Sequence, residues 1–356
     1  MKKSIAYELK RLFLPLCIFT AIASALFVVM VLTTEYSGNS IRYSPDYSIH
    51  TETSFVFVPG TILGILCYIV PSMQFSFRMN RRSTDLWYAL PIKRNTLMFV
   101  RLLGGLALIL IPYTVSYWLG FLVIACSERF LDLVWYLPLY FASLPAAICL
   151  FGFNSFCFTR ANTVRDGIIF IFTLNIALLM PSLYMVSNFY QYCPSFLRNG
   201  LNYFPFSPMV YLFNGFDRLI LNRSSTFDMD ANKLFCFILI FIESAAAYFG
   251  LFQTAGKHKA ENAGQISDSV FGYKTLIPWY VFFSVVNTST PLSIFFSSVG
   301  ISLVGLIMDF IYGLIAYFIY RRSFRIKKRD LLVLSLTCIA GTAILLLNEY
   351  VILPLL

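Results

Sequence analysis

From Leu102 to Cys126 the chain carries no charged side chain, and from Leu133 to Thr159 it carries none again. A run of about 20 apolar residues is the length of a helix that crosses a bilayer. The remainder of the chain cannot cover such runs in water. It is 58% hydrophobic and only 12% charged, against roughly 25% charged residues in a soluble domain. A lipid-facing exterior accounts for the deficit, and the length is best counted in membrane crossings.

Read by that rule, the chain is all-α, a polytopic transmembrane helical bundle of about nine spans with its N-terminus inside. The expected crossings are Phe13–Leu32, Phe55–Phe75, Leu102–Cys126, Leu133–Thr159, Ile168–Val186 and Leu234–Phe252. After Lys274 the apolar stretch is interrupted by Asn287–Pro291, and two crossings are expected, Leu276–Phe296 and Ile301–Tyr320. A last one runs from Leu331 to about Leu347.

Charge sets the orientation. With the N-terminus inside, the inner segments hold Lys2, Lys3, Lys10 and Arg11, the basic loop from Arg78 to Arg101, then Arg160 and Arg165, Lys257, Lys259 and Lys274, and the cluster from Arg321 to Arg329. The outer segments hold only Arg42, Arg129, Arg198, Arg218, Arg223 and Lys233. This asymmetry follows the positive-inside rule. It also accounts for the net charge of +10 without nucleic acid, for which an extended basic face with interleaved aromatics would be needed. The start could pass for a signal peptide, but its apolar run continues to Leu32, long enough to span, and it reads as retained.

No GxxxxGK[ST] cradle for ATP phosphates occurs, nor HExxH, nor GxSxG, so no catalytic residue is assigned and no ATPase of its own is expected. The two histidines, His50 and His258, fall on opposite sides of the membrane, and the eight cysteines include no CxxC pair. Neither a metal site, a cofactor nor a disulfide framework is indicated. Two acids fall mid-span, Glu243 and Asp309. A carboxylate at that depth costs roughly 2.5–3.5 kcal/mol on insertion scales, so it usually faces a cavity or a partner. Both are candidates for a translocation path, or for the protonated partner of a neighbouring helix.

Four segments outside the spans stand out, of which Thr33–Ser54, polar and with Gly38, Asn39 and Pro45, reads as an outer loop. Residues 1–12 suit an interfacial elbow helix, with Ile5, Ala6 and Leu9 on one face, or a flank of the first span. Residues 187–232 are rich in aromatics and read as extracellular or re-entrant, packed on or into the membrane surface. Residues 76–101 form the richest inner loop. In it Ser83 can N-cap a short helix with Asp85 in its first turn. Leu86 and Leu90 fall at i and i+4 with Trp87 beside them, and Pro91 ends the helix before Arg94. An apolar helix with an aromatic anchor either docks in a partner's groove or rests on lipid.

The segment "RRSTDLWYALPIKR", Arg81 to Arg94, resembles the first cytoplasmic loop of ABC-transporter permeases of the ABC-2 exporter type, in particular the multi-span permeases of Gram-positive bacteria. "KAENAG", Lys259 to Gly264, is similar to that group's inner segment after the sixth span, with Glu261-Asn262 where the group carries a Ser-Glu pair. The resemblance implies one permease domain over 1–356, in the cell membrane. It would pair with itself or a sister permease above separate ABC ATPase subunits. Ser83, Asp85, Leu86, Trp87, Leu90, Pro91 and Arg94 would form the coupling helix, residues 1–12 the elbow and 187–232 a re-entrant hairpin. Similar chains often continue beyond the last span into an external domain, so an end at Leu356 is compatible with a short or truncated form. Two rival functions stay open: a proton-coupled secondary transporter using Glu243 and Asp309, and a membrane sensor or scaffold that moves nothing.

Overall fold

The computed structural model describes residues 2–33, 57–89, 91–126, 133–189, 231–256, 260–267, 269–287 and 299–347. Every regular element among them is a helix. They are α1 (Lys2–Thr33), α2 (Phe57–Phe75), α3 (Arg81–Tyr88), α4 (Arg94–Cys126), α5 (Leu133–Thr159), α6 (Val164–Asn188), α7 (Ala231–Ala255), α8 (Tyr273–Asn287), α9 (Val299–Arg321) and α10 (Lys328–Leu347), with two short 3₁₀ turns at Ser76–Met79 and Ala260–Asn262. Seven of these helices carry stretches long and apolar enough to cross a membrane: Ala6–Thr33, Val58–Met79 (which runs on through the first 3₁₀ turn), Arg94–Cys126, Tyr136–Thr159, Val164–Met185, Phe237–Ala255 and Lys328–Leu347. The chain is a helical membrane protein.

Of the two crossings expected after Lys274, α8 has 15 residues, about 22 Å of helix, and ends at Asn287, where the polar Asn-Thr-Ser-Thr-Pro stretch begins. Residues 288–298 lie outside the described residues, as do most of 187–232. α9 has 23 residues.

The helices group into two compact units. The first, Met1–Phe156 with Leu201–Glu261, contains α1 to α4, nearly all of α5, and α7. Here α1 lies along α4. Its buried stripe is Glu8, Leu12, Ala23, Phe27 and Val31, spaced in whole helical turns. The opposite face, with Phe13, Leu14, Ile22, Leu26 and Leu32, is exposed, an apolar surface that suits acyl chains rather than water. Residues 2–12, including the elbow segment, form the first turns of this one helix. Small residues let the backbones approach: a Cβ at Gly120 would run into the Phe27 ring.

Several polar groups in the first unit are paired between helices, as a bilayer favours. The Tyr117 hydroxyl donates to the Tyr136 carbonyl at 2.6 Å, and the Tyr136 hydroxyl donates back to the Tyr117 carbonyl at 2.8 Å. The two rings stack at 4.0 Å. This reciprocal clasp ties α4 to α5. Asn154 Nδ2 donates to the Cys67 carbonyl at 3.0 Å and ties α5 to α2.

The second unit, Cys157–Gly200 with Asn262–Leu356, contains the end of α5 with α6, α8, α9 and α10. α8 is its centre, packed against α6, α9 and α10. Thr163, with extended backbone, caps α6 by accepting the Asp166 amide at 3.2 Å. Asp166 is buried and accepts from the Tyr273 hydroxyl at 3.0 Å and from Arg322 Nη2 at 3.1 Å. Arg322 follows the last turn of α9 with φ 51°, a left-handed position where glycine is the usual occupant. The carboxylate across the unit holds it there. Arg321 forms a two-pronged pair with Asp330 at 2.8 and 2.9 Å.

The Lys259–Gly264 segment acquires a physical reason here. Gly264 has φ +83°, and its amide donates to the Asn162 carbonyl at 2.8 Å. Ala263 is buried beside it. A small residue followed by glycine is what this turn needs to lie against the α5–α6 connection; Glu261 and Asn262 are exposed.

Candidate functional site

The first unit positions α3. After the 3₁₀ turn, Asn80 takes an extended conformation (φ −113°, ψ 119°), and its side chain accepts from the Arg82 amide at 3.1 Å. Thr84 is fully buried, and its hydroxyl reaches both the Phe77 and the Asn80 carbonyls at 2.9 Å. These bonds fix the start of the helix at Arg81. The cap is therefore Asn80 rather than Ser83, which is the third residue inside the helix. Asp85 sits beyond the first turn, where the helix dipole gives it little. The helix ends at Tyr88, where the Ala89 amide bonds the Asp85 carbonyl at 3.0 Å. Pro91 stands clear of it and is exposed; Leu90 lies outside the described residues.

Trp87 and Leu86 were expected on one docking face. Successive helical residues are about 100° apart, and the two side chains part company. Leu86 is 68% exposed and Asp85 is exposed beside it. Trp87 is half-buried and turns inward. Its ring meets Phe77 at 6.1 Å and Tyr7 at 6.4 Å, and the Arg101 guanidinium lies over it at 4.2 Å. Arg94 lies over the Tyr88 ring at 4.4 Å and donates through Nη1 to the Gly256 carbonyl at 2.9 Å. A cation at the end of α7 suits the negative pole of that helix.

Arg101 is the junction. It is 1% exposed, with its guanidinium between the Trp87 ring and the Phe77 ring, 4.8 Å from the latter. Its Nη1 lies 3.3 Å from Glu8 Oε1. The same oxygen takes Arg11 Nη2 at 2.5 Å, and Arg11 also donates to Gln74 Oε1 at 3.0 Å. One buried carboxylate thus gathers α1, α2 and α4, and through Arg101 it holds the anchor of α3. Cation–π contacts of this kind contribute about 2 kcal/mol or more when desolvated.

Glu8, Gln74, Phe77 and Arg101 belong to this site and carry no site role in the sequence reading, where Arg101 is only part of the inner basic excess. A signal existed: Glu8 is the sole acid before Glu35, amid Lys2, Lys3, Lys10 and Arg11.

The two acids expected mid-span lie in different units. Glu243, on α7, is half-buried, and its Oε2 is enclosed with no hydrogen-bond partner among the described residues. Asp309, on α9, accepts from the Ser284 hydroxyl of α8 at 2.6 Å. Asp309 also lines a cavity of about 350 Å³ between α6, α8 and α9. Among the described residues no group of His, Cys, Asp and Glu side chains could hold a metal ion.

No family model, no curated protein and no solved structure matches this chain.

Proposed function

We propose that this chain is the transmembrane permease subunit of an ATP-driven ABC transporter of the exporter type, and that α3 receives the stroke of a separate ATPase subunit. The observation that carries this reading is the division of α3 into two faces. Asp85 and Leu86 point outward, available to a partner. Trp87 is gripped from behind by Arg101, which is paired to Glu8. A push on the outer face therefore reaches α1 and α4 without passing through a flexible linker. A short helix rigidly tied to two spans is what a two-state rigid-body transition between inward and outward access requires. The resemblance of Arg81–Arg94 to the permease loop supports the same assignment.

In this reading the N-terminus and α3 face the cytoplasm, the chain sits in the cell membrane in contact with lipid, and α8 and α9 with the segment between them supply the two further crossings of a nine-span topology. A second permease, identical or a sister chain, completes the pathway. Hydrolysis of ATP belongs to the partner chain, and no cofactor is assigned to this one.

The test uses the ABC ATPase subunit that is expected to co-purify with the unaltered chain from its native membrane; the absence of any such subunit would itself refute the assignment. Leu86→Glu and Asp85→Arg alter only the exposed face of α3 and are expected to reduce co-purification of that ATPase at least fivefold. Unchanged association and unchanged ATPase stimulation in both would refute the assignment. Leu86→Cys reports orientation, since a membrane-impermeant thiol reagent should label it in inverted vesicles and not in intact cells.

One observation favours a proton-coupled carrier instead. The enclosed Glu243 Oε2 is a place where a proton can be taken up inside the bilayer. Transport that continues with the ATPase inactivated and stops with Glu243→Gln would establish it.

A further inference from the structure

The cavity in the second unit contains Asp309, which the sequence offers for a translocation path without saying what it would bind there. Its wall is built by helical spacing. α8 presents Leu276, Tyr280 and Ser284, α9 presents Asp309, Tyr312 and Ala316, and α6 closes the side with Ile169 and Thr173. Gly313, also in the wall, has no side chain and so lets α9 lie against Leu334 of α10 and Val281 of α8. Pockets for small ligands run from about 300 Å³ upward, mostly apolar with a few placed polar groups, and at about 350 Å³ this one suits a single compact molecule.

Its polar groups are few. The Tyr280 hydroxyl is committed to the Thr173 carbonyl at 2.6 Å, and the Tyr273 hydroxyl to Asp166 at 3.0 Å. Both hydroxyls are therefore already engaged, and the two aromatic rings remain as part of the wall. Tyr312 stands at the mouth, 76% exposed. Asp309 supplies the one charged group among the described lining residues, and none of these is Lys or Arg. From Asp309 to the ion-paired Arg321 at the end of α9 is about 18 Å of helix, which puts the carboxylate deep within a hydrocarbon core of about 30 Å.

We propose that this cavity binds a lipophilic monocation, one ammonium-like charge on an apolar body, entering from the bilayer. A carboxylate supplies the charge complement, and tyrosine ring faces attract a cation by their quadrupoles. Apolar walls from three helices take the body. A phospholipid headgroup does not fit, because its phosphate would meet Asp309 with no basic side chain among the described lining residues. The inference rests on the membrane placement of α6, α8 and α9, not on the ABC assignment, so it is tested with no ATPase present.

The experiment measures binding of radiolabelled tetraphenylphosphonium to the purified full-length chain in nanodiscs, with tetraphenylborate as the matched anion. Saturable binding of the cation is expected, uncontested by the anion. Asp309→Asn keeps an acceptor for Ser284 and should weaken binding at least tenfold. Ala316→Leu narrows the cavity, leaves the charge in place, and should weaken it similarly; it carries the test alone if Asp309→Asn fails to fold. Absence of saturable binding to the unaltered chain would overturn the proposal. So would competition by the anion, or binding unaltered in the folded variants. Failure here leaves the role of α3 untouched, and loss of ATPase association in the α3 variants leaves this binding untouched.

Discussion

Replacing Glu8 by Gln tests the junction beneath α3 most directly. The substitution keeps shape and an acceptor and removes one charge. At 3.3 Å, Glu8 and Arg101 attract by about 5 kcal/mol at an effective dielectric constant of roughly 20. Desolvation of both ions offsets much of that in the intact pair. Removing one partner leaves the other buried, a loss of about 3–5 kcal/mol. Two facts reduce it. Arg11 shares the carboxylate oxygen but is about a third exposed, so its charge is screened by solvent, and Gln still accepts a hydrogen bond. The expected cost is about 2–3 kcal/mol. The assay is equilibrium unfolding in mixed detergent and SDS micelles, run as a double-mutant cycle with Arg101→Met. Coupled residues give a double variant less destabilised than the sum of the singles, by about 1.5 kcal/mol or more. Additivity within about 0.5 kcal/mol would refute the reasoning, because it would mean that Arg101 owes its place to Trp87 and Phe77 alone.

Three further outcomes follow from the packing. Gly120→Ala forces Phe27 out of its seat on α4 and should lower unfolding stability by about 1–3 kcal/mol, whereas Ala substitution of the exposed Leu119 should do little. Tyr117→Phe breaks one half of the clasp with Tyr136 and should cost about 0.6–1.7 kcal/mol by the same unfolding assay. Arg322→Gly loses the pair with Asp166 but relieves the left-handed backbone. The pair is half exposed on the arginine side and so contributes little, and thermal unfolding should move by less than with Arg322→Ala, which loses the pair and keeps the strain.

The helical class and most of the spans were legible because apolar run length is a one-dimensional property. α5 begins and ends where its uncharged run does, and α4 ends with its run at Cys126 but starts about two turns earlier, at Arg94. The short helix between Asn80 and Pro91 was also visible, since a polar cap, an apolar pair and a proline are local signals. Its cap was misplaced because Thr84 bonds the Phe77 carbonyl across the preceding 3₁₀ turn, a contact no local propensity encodes. α8 was harder to place because its apolar run stops short of the bilayer's thickness at Asn287.

What the amino-acid sequence determined on its own is how much of the chain belongs in lipid and where helices can start and stop, because burial in a bilayer selects for composition over stretches of about 20 residues. What only the tertiary structure decided is which face of each helix meets which neighbour. Trp87 and Leu86 look alike in a linear reading; one is clamped by Arg101 and the other stands free of the protein surface. Glu8, Gln74 and Arg101 lie far apart along the chain, and Ser284 and Asp309 likewise on two helices. Their pairing follows from helix packing, where small residues and ring shapes choose the approach, and periodicity can name a face without naming its partner.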